Sequence, residues 1–295
     1  MKNVLPVDKL FLPEKTNELV VDLATSPSLS QANQTQSPLQ KGCPREMVNV
    51  ADAYCVDRYE SSLVDHEKKR PLSPYYPSSR EKTATLYETW LRKALASKGK
   101  QGPTTLVPLP PPFSLAVEFS PEAQSLPRRI PAGYQSAHSA ALACSEAAKR
   151  LCSPAEWRRA CRGQEDRKFP YGEQYRAGTC NVHRNEHPAA LLHGDASKYH
   201  LDPRLNLTRA HDGPLLQATG ESPGCASHWG DDAIYDMVGN LDEWLDEDQG
   251  QFAGGFYSRA TKEGCDSSIS VHGPGYRDYS LGIRCCKDIE SKLSD

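Results

Sequence analysis

Ten cysteines, at positions 43, 55, 144, 152, 161, 180, 225, 265, 285 and 286, constrain this chain more than any other feature. Their number is even, they are dispersed, and no two form a Cys-x-x-Cys pair. Thiols spread in this way read as a disulfide framework made in an oxidising compartment. The missing paired spacings argue against a zinc cluster. The expected location is therefore extracytoplasmic (periplasmic, surface or secreted), although Met1-Lys2-Asn3 leads into no apolar signal segment.

Charge and hydropathy remove other classes. With 35 basic against 38 acidic residues the net charge is −3, which offers nucleic acid no basic domain or stripe. No run of about 18 apolar residues exists, so no transmembrane segment is expected. The apolar share on the usual residue set is about 41%, a little below the ~45–50% of globular chains, so part of the chain is expected to be unpacked. Residues 1–41 fit that description. The run from Ser26 to Pro38 is polar with few core formers and reads as a flexible N-terminal linker. A single domain is expected over 42–290, with 291–295 as a tail.

Within that domain, Met47–Val50 and Ala53–Glu60 read as two short strands around a turn. Residues 62–135 read as a surface insertion, with one helix from Thr83 to Leu95. Five prolines between 103 and 112 forbid a regular helix or central strand there. Ser136–Leu151 reads as a helix, because Ala140, Ala143, Cys144, Ala147 and Leu151 recur every three to four residues. A second helix starts at Ser153, with Pro154 at its first position and Glu156 completing a capping box. Trp157, Ala160 and Cys161 then face the core. Beyond Gly163 the chain is mostly Gly, Pro, Asn, Asp and His punctuation, which is loop-rich architecture held by cross-links.

Two stretches carry candidate chemistry. Asp236, Asp242 and Glu243 place three carboxylates within eight residues around Gly239-Asn240. Carboxylates mixed with turn carbonyls are what a hard cation such as calcium takes, six to eight oxygens from a flexible loop. Glycines, aromatics and arginines cluster at Gly254–Tyr257, Gly273–Tyr279 and Gly282–Arg284, the composition of a recognition surface. The nine histidines show no HExxH spacing, and no nucleophile elbow is present.

Six segments in order resemble the formylglycine-generating enzyme (sulfatase-modifying factor) family. They are Cys55–Glu60 after Met47, Ala143–Gly163 with its Leu151-Cys152-Ser153-Pro154-Ala155-Glu156-Trp157 core, Phe169–Gly172 with Asn181, Tyr235–Trp244, Gly254-Gly255 and Gly282-Ile283-Arg284. Together they span roughly 43–288. The resemblance implies an irregular, loop-rich, disulfide-rich α+β fold related to C-type lectins. It implies calcium at Asp236, Gly239, Leu241 and Glu243, with a second ion starting at Asn181-Val182 whose downstream ligands the diverged segment 183–230 hides. It also implies the disulfides Cys144–Cys285 and Cys161–Cys265. Adjacent Cys285 and Cys286 leave open which of them joins Cys144. The remaining pairs, Cys43–Cys55, Cys180–Cys225 and Cys152–Cys286, are not fixed by sequence.

The chain departs from the family's oxidases at their copper site. Those enzymes hold copper(I) between two cysteines that follow Gly-Gly-Ser, and soft thiolates suit that ion. Here the run is Gly254-Gly255-Phe256, Arg259 stands at the first cysteine position, and the nearby Cys265 is assigned to a disulfide. Copper is therefore not expected. The expected function is a calcium-stabilised binding module for a peptide, protein or glycan, with a degenerate catalytic site. Tyr257, Arg259, Tyr276, Arg277 and Tyr279 are the candidate ligand-binding residues. The alternative is an oxygen-dependent oxidoreductase that converts cysteine to formylglycine in sulfatases, or a related nonheme-metal oxidative enzyme. Iron-using relatives take histidines from an added helical domain, and none is evident here.

Overall fold

The structure, a computed structural model, describes residues 42–96 and 106–289. The expected linker (1–41) and tail (291–295) lie outside the described residues, as does the start of the proline-rich run.

The expected hairpin is present. Met47–Val50 and Tyr54–Asp57 pair antiparallel around Ala51 and Asp52, both at φ +56°. The Asn49 side chain accepts from the Asp52 N–H at 2.8 Å and holds the turn. The other edge of Tyr54–Asp57 pairs with Cys285–Asp288, which in turn pairs with Arg150–Leu151. A second four-stranded sheet runs in the order Ser268–Ile269, Phe252–Ala253, Asp242–Trp244, Leu281–Gly282, and its last pairing is parallel. Strands of two to five residues joined by long connections make the α+β, loop-rich class expected from the sequence.

Among the described residues there are five α-helices: α1 (Arg80–Ala96), α2 (Pro112–Ala116), α3 (Ala137–Glu146), α4 (Pro154–Arg162) and α5 (Pro188–His193). Helix α2 begins on the last proline of its run, at the position where a missing N–H costs nothing. The capping box of α4 forms as read: Ser153 Oγ accepts from Glu156 N at 3.3 Å, and Ser153 N donates to the Glu156 carboxylate at 2.9 Å. The helix expected over Ser136–Leu151 stops at Glu146. Ala148 sits at φ +53°, and Arg150–Leu151 joins the first sheet opposite Cys285 and Cys286. Ladder pairing and the adjoining disulfides outweigh the alanine-rich helical spacing there. Leu151 is still buried, but from a strand.

Residues 62–135 are more than a surface layer. Ser61–Asp65 pairs with Pro121–Ser125 over its whole length. Leu63, Ala123 and Ala132 pack with Trp244, Phe252 and Leu281 in one core cluster. The alternation that buries Pro121, Ala123 and Ser125 puts one face of this strand inside.

The two disulfides that the resemblance implies form, Cys144–Cys285 and Cys161–Cys265, and so do the three pairs that sequence left unfixed, Cys43–Cys55, Cys152–Cys286 and Cys180–Cys225. The ambiguity at 285–286 is resolved by the strand itself. Successive side chains point to opposite faces, so Cys285 reaches α3 while Cys286 reaches Cys152 just before α4.

Candidate functional site

The strand Phe252–Ala253 runs into Gly254 and Gly255, at φ +95° and +81°. A Cβ on Gly254 would lie 2.7 Å from Met237 O, and one on Gly255 would lie 2.0 Å from Thr261 Oγ1. Only glycine allows this tight turn, and the turn folds Arg259 back toward the strand Asp242–Trp244. Arg259 Nη2 donates to Asp242 Oδ1 at 2.5 Å, and the Gly255 N–H donates to the same oxygen at 2.9 Å. Asp242 is fully buried and its Oδ2 has no partner among the described residues. Burial pushes its carboxyl up to about 7, against the pull of Arg259 and the Gly255 N–H.

Arg259, which the resemblance sets at the first copper cysteine of the family's oxidases, is thus held in an ion pair with Asp242. Every cysteine is in a disulfide, Cys265 with Cys161. Arg259 offers only donors, so the residues present do not fit a two-thiolate copper(I) site.

The stretch assigned to calcium turns through three positive φ values, at Asp236, Gly239 and Asn240. A Cβ on Gly239 would meet Asn181 O at 2.4 Å, so the two expected metal segments lie directly against each other. Asn240 N donates to Asn181 O at 2.8 Å, and Asn181 Nδ2 donates to Asn240 Oδ1 at 2.9 Å. Leu241 and Val182 place their side chains in the core.

The carboxylates of this stretch already have partners. Asp236 Oδ2 accepts from Gly220 N at 2.7 Å. Glu243 accepts from Trp157 Nε1 at 2.6 Å, and Arg284 Nε lies 2.9 Å from each of its oxygens. Asp242 and Glu243 are strand neighbours and face opposite ways, the first to Arg259 and the second to Arg284. Glu60 completes the group, accepting from Asn240 Nδ2 at 2.6 Å and from Leu241 N at 3.0 Å. Burial first, and then mutual repulsion among Glu60, Asp236 and Glu243, raises Glu60 well above the usual carboxylate range; burial raises Asp236 to about 6.

Of the five candidate ligand-binding residues, Tyr257 and Tyr279 are core. Tyr257 OH donates to Asn206 Oδ1 at 2.9 Å, and Tyr279 OH meets His187 Nε2 at 3.0 Å. Arg259, Tyr276 and Arg277 are half-exposed. Tyr276 stacks on His272 at 3.9 Å between centroids and donates to Asp278 at 2.8 Å. The structure adds three half-exposed rings beyond those five candidates. Phe256, His200 and His187 stand edge-on to Tyr279 at 5.7, 5.8 and 6.0 Å. Arg259 lies 5.8 Å from the Phe256 centroid, joining the ion pair to these rings. Burial holds His187 below the usual histidine range, and the neighbouring His200 lowers it further. Both histidines belong to the diverged segment; His187 stands four residues after His183, a spacing that the surrounding Asn181, Asn185 and Pro188 argue against as a helical metal pair, and His200 has no such mark.

No helix among the described residues is long and apolar enough to cross a membrane. Five disulfides fit an oxidising location. No curated protein matches the sequence. Among solved structures, the P3c variant of Major Tropism Determinant is similar at TM-score 0.41 and 14% identity, over 83% of this chain and 53% of that one. The chain thus spans about half the length of that protein. CarF is similar at TM-score 0.39 and 16% identity, over 80% of this chain and 87% of that one. PvdO from Pseudomonas aeruginosa gives 0.35 and 14%, over 84% and 99%. The model of the sulfatase-modifying factor enzyme 1-like domain matches residues 120–289, more than half of the chain. On that match, this chain belongs to the sulfatase-modifying factor enzyme 1-like domain family.

Proposed function

We propose that this chain is an extracytoplasmic binding module of its family, with the oxidase chemistry lost. The observation that carries the reading is the ion pair between half-exposed Arg259 and buried Asp242, at the position the resemblance gives to copper, in a chain whose cysteines are all paired. Cysteine oxidation needs a metal that binds oxygen and substrate thiolate and keeps a coordination position open. A guanidinium with only donors supplies neither a ligand nor an opening. The half-exposed Phe256, His187 and His200, with Arg259, Tyr276 and Arg277, form an aromatic and cationic surface suited to gripping a peptide, protein or glycan.

The reading is tested in two parts. The chain, incubated with copper(I), oxygen and a Cys-x-Pro-x-Arg peptide, should yield no aldehyde, and catalytic aldehyde formation would refute the loss of chemistry. Peptide and glycan arrays probed with wild type and Phe256→Ala should show a ligand signal that the variant loses. A signal unchanged by Phe256→Ala and Arg277→Ala would move the binding surface elsewhere.

A further inference from the structure

Helix α1 is 17 residues long and buries only two of them, Thr83 in its first turn and Trp90 two turns further on. Trp90 is 5% exposed and sits among rings and charges supplied mainly by the segment 187–204. The His193 ring lies 5.7 Å from it, and the Tyr199 ring meets it edge-on at 5.6 Å. His193 and Tyr199 are themselves 4.7 Å apart, so the two rings make one wall. The Arg204 guanidinium stands 5.7 Å from the indole centroid, and Lys93 Nζ, one turn along α1, lies over it at 4.0 Å. Beyond its first turn, this indole is the one side chain that α1 buries.

His193 is the part of this socket that titrates near neutral pH. Asp202, Arg204, Tyr199 and Lys93 are the charged and titratable groups that face it. Its Nε2 lies 3.0 Å from Asp202 Oδ2, yet too poorly aligned for a full hydrogen bond. Arg204 already holds the buried Asp202, with Nε on Oδ1 at 3.0 Å and Nη2 on Oδ2 at 2.7 Å. A proton on His193 would set a third positive charge beside Arg204 and Lys93, with a single carboxylate among them. Burial holds His193 below the usual histidine range against the pull of Asp202, and Arg204 and Lys93 push it down further.

The same segment carries part of the aromatic surface on its other side. His187 caps the start of α5, its Nδ1 accepting from Ala189 N at 3.2 Å, and His193 ends that helix. Tyr199 meets Trp90, while the next residue, His200, meets Tyr279 and accepts from the Tyr279 N–H at 3.2 Å through its carbonyl. We propose that α1 is an acid-released strap: Trp90 seats it on 187–204 at neutral pH, protonation of His193 unseats it, and the loosened segment opens the ligand surface at His187 and His200. The last step rests on the binding surface proposed above, and the first two do not. Because the seated state disfavours the proton, seating is strongest above pH 6.5 and weakens as pH falls beneath it. One proton can weaken it by at most about tenfold per pH unit.

The test is amide hydrogen exchange on the full chain without ligand, at pH 7.5 and pH 5.0, with rates corrected for intrinsic exchange. At pH 5.0 wild type should lose protection by at least about threefold in the second half of α1 and in 187–204, while Tyr54–Asp57 and Cys285–Asp288 keep theirs. His193→Gln cannot take the proton and should hold both segments protected at pH 5.0. Trp90→Ala should leave both loose at either pH. Equal wild-type protection at the two pH values, or an acid loss that His193→Gln does not prevent, would overturn the strap. A Trp90→Ala chain that loosens α1 alone would overturn its link to the ligand surface. The wild-type comparison decides the first point even where a variant does not fold. Arrays that find no ligand would remove the binding role and leave these exchange results unchanged, so the two failures are distinct.

Discussion

Replacing Glu243 by alanine is the most informative single perturbation of this core. Glu243 is 1% exposed and Arg284 is 0% exposed. The substitution leaves a guanidinium buried with no counter-charge in contact and orphans the Trp157 Nε1–H that had donated at 2.6 Å. Breaking a buried pair on one side costs about 3–5 kcal/mol, and the unpaired indole N–H adds roughly 1 kcal/mol or more. A loss of about 4–6 kcal/mol is expected, a large share of the ~5–15 kcal/mol available to a domain. At roughly 2–4 °C per kcal/mol for a domain of this size, melting should fall by about 8–24 °C. The reverse single change, Arg284→Met, should cost at least as much, because Glu60, Asp236 and Glu243 then share the interior without their guanidinium. The double variant Glu243→Leu with Arg284→Met removes both charges and should lose less than the sum of the singles by about 2 kcal/mol or more. Urea unfolding of the four proteins at one pH and salt concentration measures the cycle. A single-variant loss under about 1 kcal/mol, or a coupling near zero, would refute the claim that this pair organises the core.

Three further outcomes are expected. Thiol labelling of unfolded, unreduced protein should find no reactive cysteine, since all ten are paired; four or more labelled positions would reverse the assignment to an oxidising compartment. Gly254→Ala should destabilise strongly, because its Cβ would stand 2.7 Å from Met237 O at φ +95°, and a loss under about 0.5 kcal/mol would show that the turn relaxes freely. His187 has a folded pKa depressed below 6.5 by burial, so its contribution to stability is present above that value and is lost as pH falls through the window beneath it. The stability of wild type relative to His187→Gln should therefore shrink on acidification below pH 6.5, and a difference that stays level from pH 7.5 to pH 5 would contradict the assignment.

Much of the fold was legible because its signals are local or covalent. The capping box at Ser153–Glu156 is a four-residue pattern, and even cysteine numbers point to pairing whatever the topology. The helix read to Leu151 overran for a physical reason. Alanine spacing reports helical preference, while the ladder opposite Cys285 and Cys286 is made by residues more than a hundred positions away. The site was less legible. Asp242 reads in sequence like any polar turn acid, and nothing local announces that it is buried against Arg259. Glu60 matters only through partners about 180 residues along the chain, Asn240 and Leu241. Arg284 was visible in its Gly-Ile-Arg motif, but not its role as the cation beside Glu243.

The first sheet has a consequence for how the chain is made. Its interior strand, Cys285–Asp288, leaves the ribosome more than a hundred residues after both of the strands it lies between, Tyr54–Asp57 and Arg150–Leu151. Those earlier strands must wait with an unpaired edge, an exposure that invites pairing with other chains. Cys144 and Cys152 must likewise remain unoxidised, or be held in temporary bridges, until Cys285 and Cys286 arrive. The domain therefore cannot mature piecemeal from its amino end. A nascent chain halted short of residue 285 is an open half-sheet with stranded thiols, so the arrival of Cys285 and Cys286 is the step that closes both the sheet and its cross-links.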